Sequence, residues 1–165
     1  AYHDGVARMT GSNSVETVFC GTSEGRSAAP ALFQTTAARF MADHSLAAEV
    51  FGPLGLIIRA GSVAKMRALA KGFEGQLTAT LHMDAGDLEA ALPLRRVLEH
   101  KAGRVLVNGF PTGVEVVDSM VHGGPYPAST NFGATSVGTL SIRRFLRPVA
   151  YQNLPSALLP VDIAT

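Results

Sequence analysis

The sequence has little cysteine, no tryptophan and few charges. One cysteine, Cys20, occurs among the 165 residues, and charged residues make up only 16%. A single cysteine excludes an internal disulfide, and no zinc-type Cys/His spacing is present, so we predict no metal site. The net charge of +1 gives no electrostatic reason to expect nucleic acid or an anionic membrane as a partner.

Long hydrophobic runs and targeting features are also absent. No apolar run approaches the ~20 residues that span a bilayer, and residues 1–5 lack the charged and apolar regions of a signal peptide. We therefore expect a cytoplasmic protein. Hydrophobic residues make up 47%, which argues against intrinsic disorder. So apolar a chain indicates extensive buried surface, part of it covered by a missing domain or a partner subunit.

Strand and helix patterns alternate along the first two thirds of the chain. Strands are predicted at residues 15–20, 54–59, 76–81 and 103–108. Helices are predicted at residues 30–41, with Pro30 in the first turn, at residues 62–71, and at residues 84–98, where Pro93 marks a kink or break. This alternation predicts an α/β fold, with a mostly parallel sheet and flanking helices.

The pattern changes after Asn108. A Gly- and Pro-rich stretch at residues 109–134 is too long for a plain connector, which favours a functional loop or a cover. A helix is predicted at residues 136–145. A final strand is predicted at residues 147–152, and Pro148 restricts it to the edge of a sheet.

The most informative segment is Glu49-Val50-Phe51-Gly52-Pro53, between a helix and a buried strand. It could be a tight turn, with Gly52 and Pro53 shaping the backbone and Phe51 filling the core. It also resembles the Glu-x-Phe-Gly-Pro motif of aldehyde dehydrogenases. That resemblance implies that Glu49 accepts hydrogen bonds from the nicotinamide ribose and that Phe51 packs near the nicotinamide ring. A carboxylate is chemically suited to bind a ribose diol.

Further segments continue the resemblance to the end of the chain. Residues 103–115 and 122–129 are similar to the subfamily that oxidises 2-oxoglutarate semialdehyde. In the second segment His122 replaces the usual Phe, and Tyr126 occupies the usual Lys position. Residues 135–139 and 143–149 continue the match. The resemblance implies a fragment of an aldehyde dehydrogenase catalytic domain at residues 1–145, and an oligomerisation strand and tail at residues 146–165.

The function implied by this resemblance is aldehyde oxidation with NAD or NADP, with NADP slightly favoured. The substrate implied is 2,5-dioxopentanoate, which would yield 2-oxoglutarate, and a longer-chain (fatty) aldehyde is the alternative. The partners implied are a missing N-terminal cofactor domain and further copies of the chain in a homo-oligomer. The substrate-binding residues implied are Phe110, Pro111, Thr112, Gly113, Val114 and His122. For His122, a structural hydrogen bond is the competing interpretation.

The catalytic groups of the family have no counterpart among these residues. The nucleophilic cysteine and the general-base glutamate of the family would lie upstream of Ala1, and no dinucleotide-binding glycine pattern is present. Cys20 is predicted to lie on a buried apolar strand, where a lone cysteine usually behaves as a small hydrophobe. We therefore expect the 165 residues alone to be inactive. A non-catalytic binding or assembly module is the alternative of another class.

Overall fold

The fold was analysed in a computed structural model that describes residues 1–111 and 113–163. The predicted substrate contact Thr112 lies outside the described residues. The helices are α1 (Tyr2–Thr10), α2 (Ala37–Ala42), α3 (Val63–Lys71) and α4 (Leu88–Leu98). The strands are β1 (Glu16–Cys20), β2 (Ala31–Thr36), β3 (Leu54–Arg59), β4 (Gln76–Leu81) and β5 (Ala102–Val107). Short 3-10 turns occupy His44–Ala47, Ala85–Asp87, Phe132–Ala134, Thr139–Phe145 and Ser156–Leu158.

The strands form two separate sheets. In the first sheet β1 pairs antiparallel with β2, and β2 pairs parallel with β3, so that Ala31 lies opposite both Cys20 and Leu54. In the second sheet β4 and β5 run parallel, with Gln76 opposite Ala102. The α/β class is therefore confirmed, and two of the three ladders are parallel. The continuous sheet that the alternation suggested is instead interrupted between β3 and β4.

The helix predicted at residues 30–41 is wrong over its first half. Residues 31–36 form the central strand β2, with Ala31, Phe33 and Thr35 buried in a period of two. The Thr35 hydroxyl donates to the Ser14 carbonyl at 2.6 Å. Phe33 is fully buried, and this tertiary packing outweighs the weak helical preference of the segment. The helix begins only at Ala37. The Thr36 hydroxyl caps it by accepting a hydrogen bond from the Arg39 backbone N–H.

Each sheet has its own hydrophobic core. The first core contains Met9, Ala31, Phe33 and Leu46. Met9 comes from α1, a helix that the sequence analysis did not predict. The second core contains Ala70, Leu94 and Leu98, beneath β4 and β5. Helix α3 packs against both α2 and α4, so the helical layer is continuous although the sheet layer is not.

The other predicted elements of the α/β region are confirmed, with one correction. The Ser62 hydroxyl caps α3 by accepting from the Lys65 backbone at 3.2 Å, and α3 ends at Gly72. Helix α4 continues through Pro93, so the predicted break is wrong. Proline removes one helical hydrogen bond, but burial of Leu94 and Leu98 holds the helix together, since tertiary packing supplies most helical stability.

The C-terminal elements differ from prediction. The helix predicted at residues 136–145 is a 3-10 turn, Thr139–Phe145. The edge strand predicted at residues 147–152 is wrong, because that segment has no strand pairing among the described residues. A strand needs a hydrogen-bonding neighbour, and neither described sheet extends to the tail. No described helix has the length and apolar character needed to cross a membrane.

Candidate functional site

The Glu49–Pro53 segment is anchored at its end by Tyr2, and its side chains are exposed except that of Val50, which is half-buried. The Tyr2 hydroxyl donates to the carbonyls of Ala29 at 2.6 Å and Pro53 at 3.3 Å. The Tyr2 ring lies against Gly52, which has φ +155° and no space for a Cβ. Phe51 is 87% exposed, and Glu49 is exposed as well. The interpretation of Phe51 as a core residue is therefore wrong.

The turn that leads into this segment is capped by Asp43. The Asp43 carboxylate accepts hydrogen bonds from the hydroxyl and the backbone N–H of Ser45, at 2.6 and 3.1 Å. The hydrogen bond from the Ser45 hydroxyl is the largest cause of a lowered pKa of Asp43. Ser14 and the Ser45 backbone N–H lower the pKa in the same direction. The carboxylate form is stabilised, so the cap is present at neutral pH and is lost only as the pH falls through this lowered pKa.

The loop after β5 is anchored by Asn108. Its side-chain amide donates to the Met83 carbonyl and accepts from the Met83 N–H, both at 2.8 Å. Asn108 itself has φ +50°, a conformation that asparagine tolerates better than most residues. Beyond this clamp, Phe110 is 80% exposed, and its ring lies 5.9 Å from the ring of His82. The Asn-Gly pair at 108–109 is the sequence signal that could have identified this anchor.

The chain then runs back along β5 towards the beginning of that strand. Arg104 donates to the carbonyl of Gly113. The loop at residues 123–126 packs so closely on Gly75 and Gly103 that a Cβ at either glycine would collide with its backbone. Gly75 precedes β4, and Gly103 is the second residue of β5.

His122 lies at the end of the second sheet where β4 and β5 begin. Its backbone N–H donates to the hydroxyl of Thr135 at 3.3 Å, and Thr135 is buried. The His122 side chain is exposed. The structure therefore fixes the backbone of His122 through Thr135, which the sequence analysis missed, and leaves the imidazole free of any described hydrogen bond.

The predicted site residues do not form one cluster. His122 lies beside the beginning of β5, whereas Phe110 and Pro111 follow its end. Gly113 and Val114 come later in the loop, where Arg104, the third residue of β5, donates to the Gly113 carbonyl. Five residue steps separate Gly103 from Asn108, roughly 16 Å along a strand. Glu49 and Phe51 precede β3 in the other sheet. If these residues serve one site, they approach it from different sides.

No described residue supplies an evident nucleophile or metal site. Groups of three or more potential metal-ligating side chains are absent from the described residues. Cys20 is exposed, so the expected burial of its strand is wrong, because β1 is the outer strand of its sheet. No hydrogen bond or ion pair is described for its thiol. A reactive cysteine needs an electropositive environment, and none is evident around Cys20 in the part of the chain that the structure describes.

Comparison with solved structures supports the fold. The chain is similar to delta-pyrroline-5-carboxylate dehydrogenase from Mycobacterium tuberculosis, with a TM-score of 0.64 and 20% identity. The match covers 95% of this chain and 30% of that protein. A second structure of that enzyme, bound with NAD, matches with a TM-score of 0.62, 21% identity, and coverage of 95% and 29%. At this identity the similarity concerns the fold alone.

Sequence comparison identifies the family. The chain is 55% identical over 130 residues to alpha-ketoglutaric semialdehyde dehydrogenase 2 of Azospirillum brasilense, covering 79% of this chain and 25% of that protein. It is 50% identical over 134 residues to alpha-ketoglutaric semialdehyde dehydrogenase of Acinetobacter baylyi, covering 81% and 26%. No protein-family profile matches the chain. Over its matched residues the chain belongs to the aldehyde dehydrogenase superfamily, and it spans about a quarter of the length of these curated relatives.

The Asn108 clamp leads to a stability prediction. Asn108→Ala should lower the free energy of unfolding by about 1–3 kcal/mol, because two hydrogen bonds of about 0.5–1.5 kcal/mol each are lost and alanine is disfavoured at positive φ. Asn108→Gly should lower it less, because glycine adopts this conformation without strain. Both values can be measured by urea unfolding.

Asn131→Ala is the matched control for this experiment. Asn131 makes one described local hydrogen bond, to the Gly133 N–H at 3.0 Å, and has a negative φ. Its removal should therefore have a smaller effect than removal of the clamp. Equal stability of the wild type and both Asn108 variants would contradict the anchoring role.

Proposed function

We propose that this chain is the C-terminal part of the catalytic domain of an NAD(P)-dependent aldehyde dehydrogenase that converts 2,5-dioxopentanoate into 2-oxoglutarate. The observation that carries the proposal is the 55% identity over 130 residues to a protein named for alpha-ketoglutaric semialdehyde oxidation. The exposed Glu49 and Phe51 support it, because a scaffold has no need of an exposed aromatic ring two residues from an exposed carboxylate. The nucleophilic cysteine, the general base and the cofactor domain would lie in the rest of the polypeptide.

The role of Glu49 follows from its setting. Its side chain is exposed, and the segment that follows it is anchored by the contacts of Tyr2 with Gly52 and Pro53, so its carboxylate is available to accept two hydrogen bonds from a ribose diol. The nicotinamide cofactor, when bound, supplies the hydride acceptor. The exposed ring of Phe51, two residues away, would then shield one side of the nicotinamide from water. Glu49 and Phe51 are cofactor-positioning groups in this proposal, and the choice between NAD and NADP depends on residues elsewhere.

The loop after β5 is proposed to contact the aldehyde. Phe110 presents an apolar surface, and the Asn108 clamp fixes the point from which the loop leaves the sheet. Pro111, Gly113 and Val114 follow in the same exposed loop, and Thr112 is proposed as a contact from its sequence position alone. His122 is a separate proposed contact, from the opposite end of β5. Its exposed imidazole could donate a hydrogen bond to a carboxylate, a group that 2,5-dioxopentanoate carries and a simple fatty aldehyde lacks.

Substrate preference tests the proposed reaction. The whole enzyme should show a kcat/KM for 2,5-dioxopentanoate at least tenfold above that for decanal, since polar groups matched to a substrate discriminate strongly against an analogue that lacks them. NAD(P)H formation with each aldehyde provides the measurement. A preference for decanal would favour the long-chain alternative. No oxidation of any aldehyde would favour a binding or assembly module.

Replacing Glu49 tests the cofactor site. In the whole enzyme Glu49→Gln should slow hydride transfer on the order of ten- to a hundredfold, because hydrogen bonds to a charged acceptor are worth about 1.5–3 kcal/mol. Single-turnover stopped-flow measurements can follow this step. The matched control is Glu89→Gln. Glu89 is also an exposed glutamate but lies on α4, so this change should leave the rate unchanged. An unaltered rate in Glu49→Gln would remove Glu49 from the site.

The C-terminal tail is proposed to hold subunits together in a homo-oligomer. Large apolar side chains remain exposed along residues 146–163, namely Leu146, Val149, Tyr151, Leu158, Val161 and Ile163. Burying such surface against another subunit is favourable at roughly 25 cal/mol per Å². An extended tail can also form backbone hydrogen bonds with a strand of a neighbouring subunit. The described residues of a single chain provide no such strand for the tail.

Deletion of residues 146–165 tests this assignment. The whole enzyme should behave as at least a dimer in light scattering, and the deletion should reduce its mass towards that of a monomer. A Val161→Asp variant, at a side chain that is 91% exposed, provides a milder change and should weaken assembly without removing the backbone. An oligomer of unchanged mass in both variants would refute the assignment.

A further inference from the structure

An open slot separates the two sheets. Leu56 and Ile58 of β3 line one side, and Thr78, Ala79 and Thr80 of β4 line the other. Phe40 from α2 and Leu98 from α4 also line the slot, whose volume is about 710 Å³. The lining is mixed, because Glu74 and Lys101 also lie along the slot. A gap of this size within a strand layer leaves room for an occupant.

The helical layer beneath the slot is already closed. The rings of Phe40 and Phe73 meet edge to face at 6.0 Å, and they belong to the margins of the two cores. Helix α3 packs on both of its neighbours. The two sheets are thus held beside each other by helices, while β3 and β4 are not hydrogen-bonded to each other. The gap therefore interrupts the strand layer and leaves the helical layer continuous.

The β3 edge presents free backbone groups to the slot. The Ala31 N–H donates to the Pro53 carbonyl at 3.0 Å, which sets the alternation of the β2–β3 ladder. In a parallel pair the backbone groups of alternate residues point to the same neighbour. The backbone groups of Gly55 and Ile57 therefore form hydrogen bonds with β2, and those of Leu56 and Ile58 point to the slot.

The β4 edge is arranged in the same way. The Gln76 N–H donates to the Lys101 carbonyl at 2.7 Å, so Gln76, Thr78 and Thr80 bond towards β5. The backbone groups of Leu77 and Ala79 consequently point away from β5. Two unpaired strand edges, each next to a parallel ladder, thus border one slot. An unpaired edge is a template for another strand.

We infer that the slot is filled by at least one β-strand from the part of the polypeptide outside residues 1–165, which joins the two sheets into one. The chain spans only about a quarter of the length of its curated relatives, so ample chain remains to provide it. The strand is apolar and uncharged over its middle, because the slot is lined there by Leu56, Ile58 and Ala79. The inference depends on the chain being part of a longer protein, as proposed above, but not on the reaction.

Hydrogen exchange on the whole polypeptide tests the inference. The slot-facing amides of Leu56, Ile58, Leu77 and Ala79 should exchange at least a hundredfold more slowly than unprotected loop amides. The amides of Ile57 and Thr80, which bond to existing neighbours, are internal controls and should be protected in any case. Slot-facing amides that exchange like those of a free edge would overturn the inference, and this readout does not involve aldehyde oxidation.

Two further measurements exclude other causes of protection. Exchange should be the same at protein concentrations a hundredfold apart, and protection that increases with concentration would assign the slot to a second copy instead. The double variants I58C/T80C and L56C/T78C should form no disulfide on oxidation, judged by peptide mapping. An inserted strand keeps the two edges at least ~9.6 Å apart, beyond the ~7 Å that a disulfide can bridge. A disulfide at either pair would mean that β3 and β4 pair directly, and would also overturn the inference.

Discussion

The two halves of this chain are held together on their helical side and not through their strands. Helix α3 packs on both α2 and α4, and the rings of Phe40 and Phe73, each at the margin of a different core, meet edge to face. Aromatic pairs of this geometry contribute about 0.5–1.5 kcal/mol beyond the burial of their surface. That is small beside the cost of leaving two sheet edges unpaired. The contact can align the two halves but cannot replace the strand layer between them.

The low charge of the sequence goes together with a large exposed apolar surface. Only 16% of residues are charged, and many large apolar side chains remain exposed, including Phe51, Phe110 and Val161. A monomer of this size rarely leaves so much apolar surface in water. These three side chains lie in separate regions: before β3, after β5 and in the tail. The proposals for cofactor, substrate and neighbouring subunit assign a different cover to each region.

The sequence predicted the elements whose local signals agree with their tertiary setting. For α3, the Ser62 cap and the Gly72 stop lie where the helix begins and ends, because capping depends on nearby backbone groups. The apolar run that predicted β3 was equally plain, but the burial expected of it is wrong, because the strand is half-buried and Ile57 is exposed. Residues 31–36 were misjudged because Pro30 is compatible with a helix start, and nothing local reveals that Phe33 will lie between two other strands. The tail strand failed for the opposite reason: its composition suits a strand, but no described residue pairs with it.

The candidate site shows the same limit at the level of chemistry. The Glu49–Pro53 string could be matched to a motif without any structure, but the motif does not say why Glu49 is held outward. The described anchor of the motif is the contact of Tyr2 with Gly52 and Pro53, and Tyr2 is about 50 residues away in sequence, on a helix that no local signal indicated. His122 and Phe110 were grouped because the resemblance places both near an aldehyde. The close packing of residues 123–126 on Gly75 and Gly103 puts them at opposite ends of β5. Gly103 and Asn108 are roughly 16 Å apart along this strand, farther than a five-carbon substrate can reach. The loop after β5 returns towards the beginning of the strand at Gly113, where Arg104 donates to its carbonyl. The later part of the loop, rather than Phe110, would therefore share a small substrate with His122.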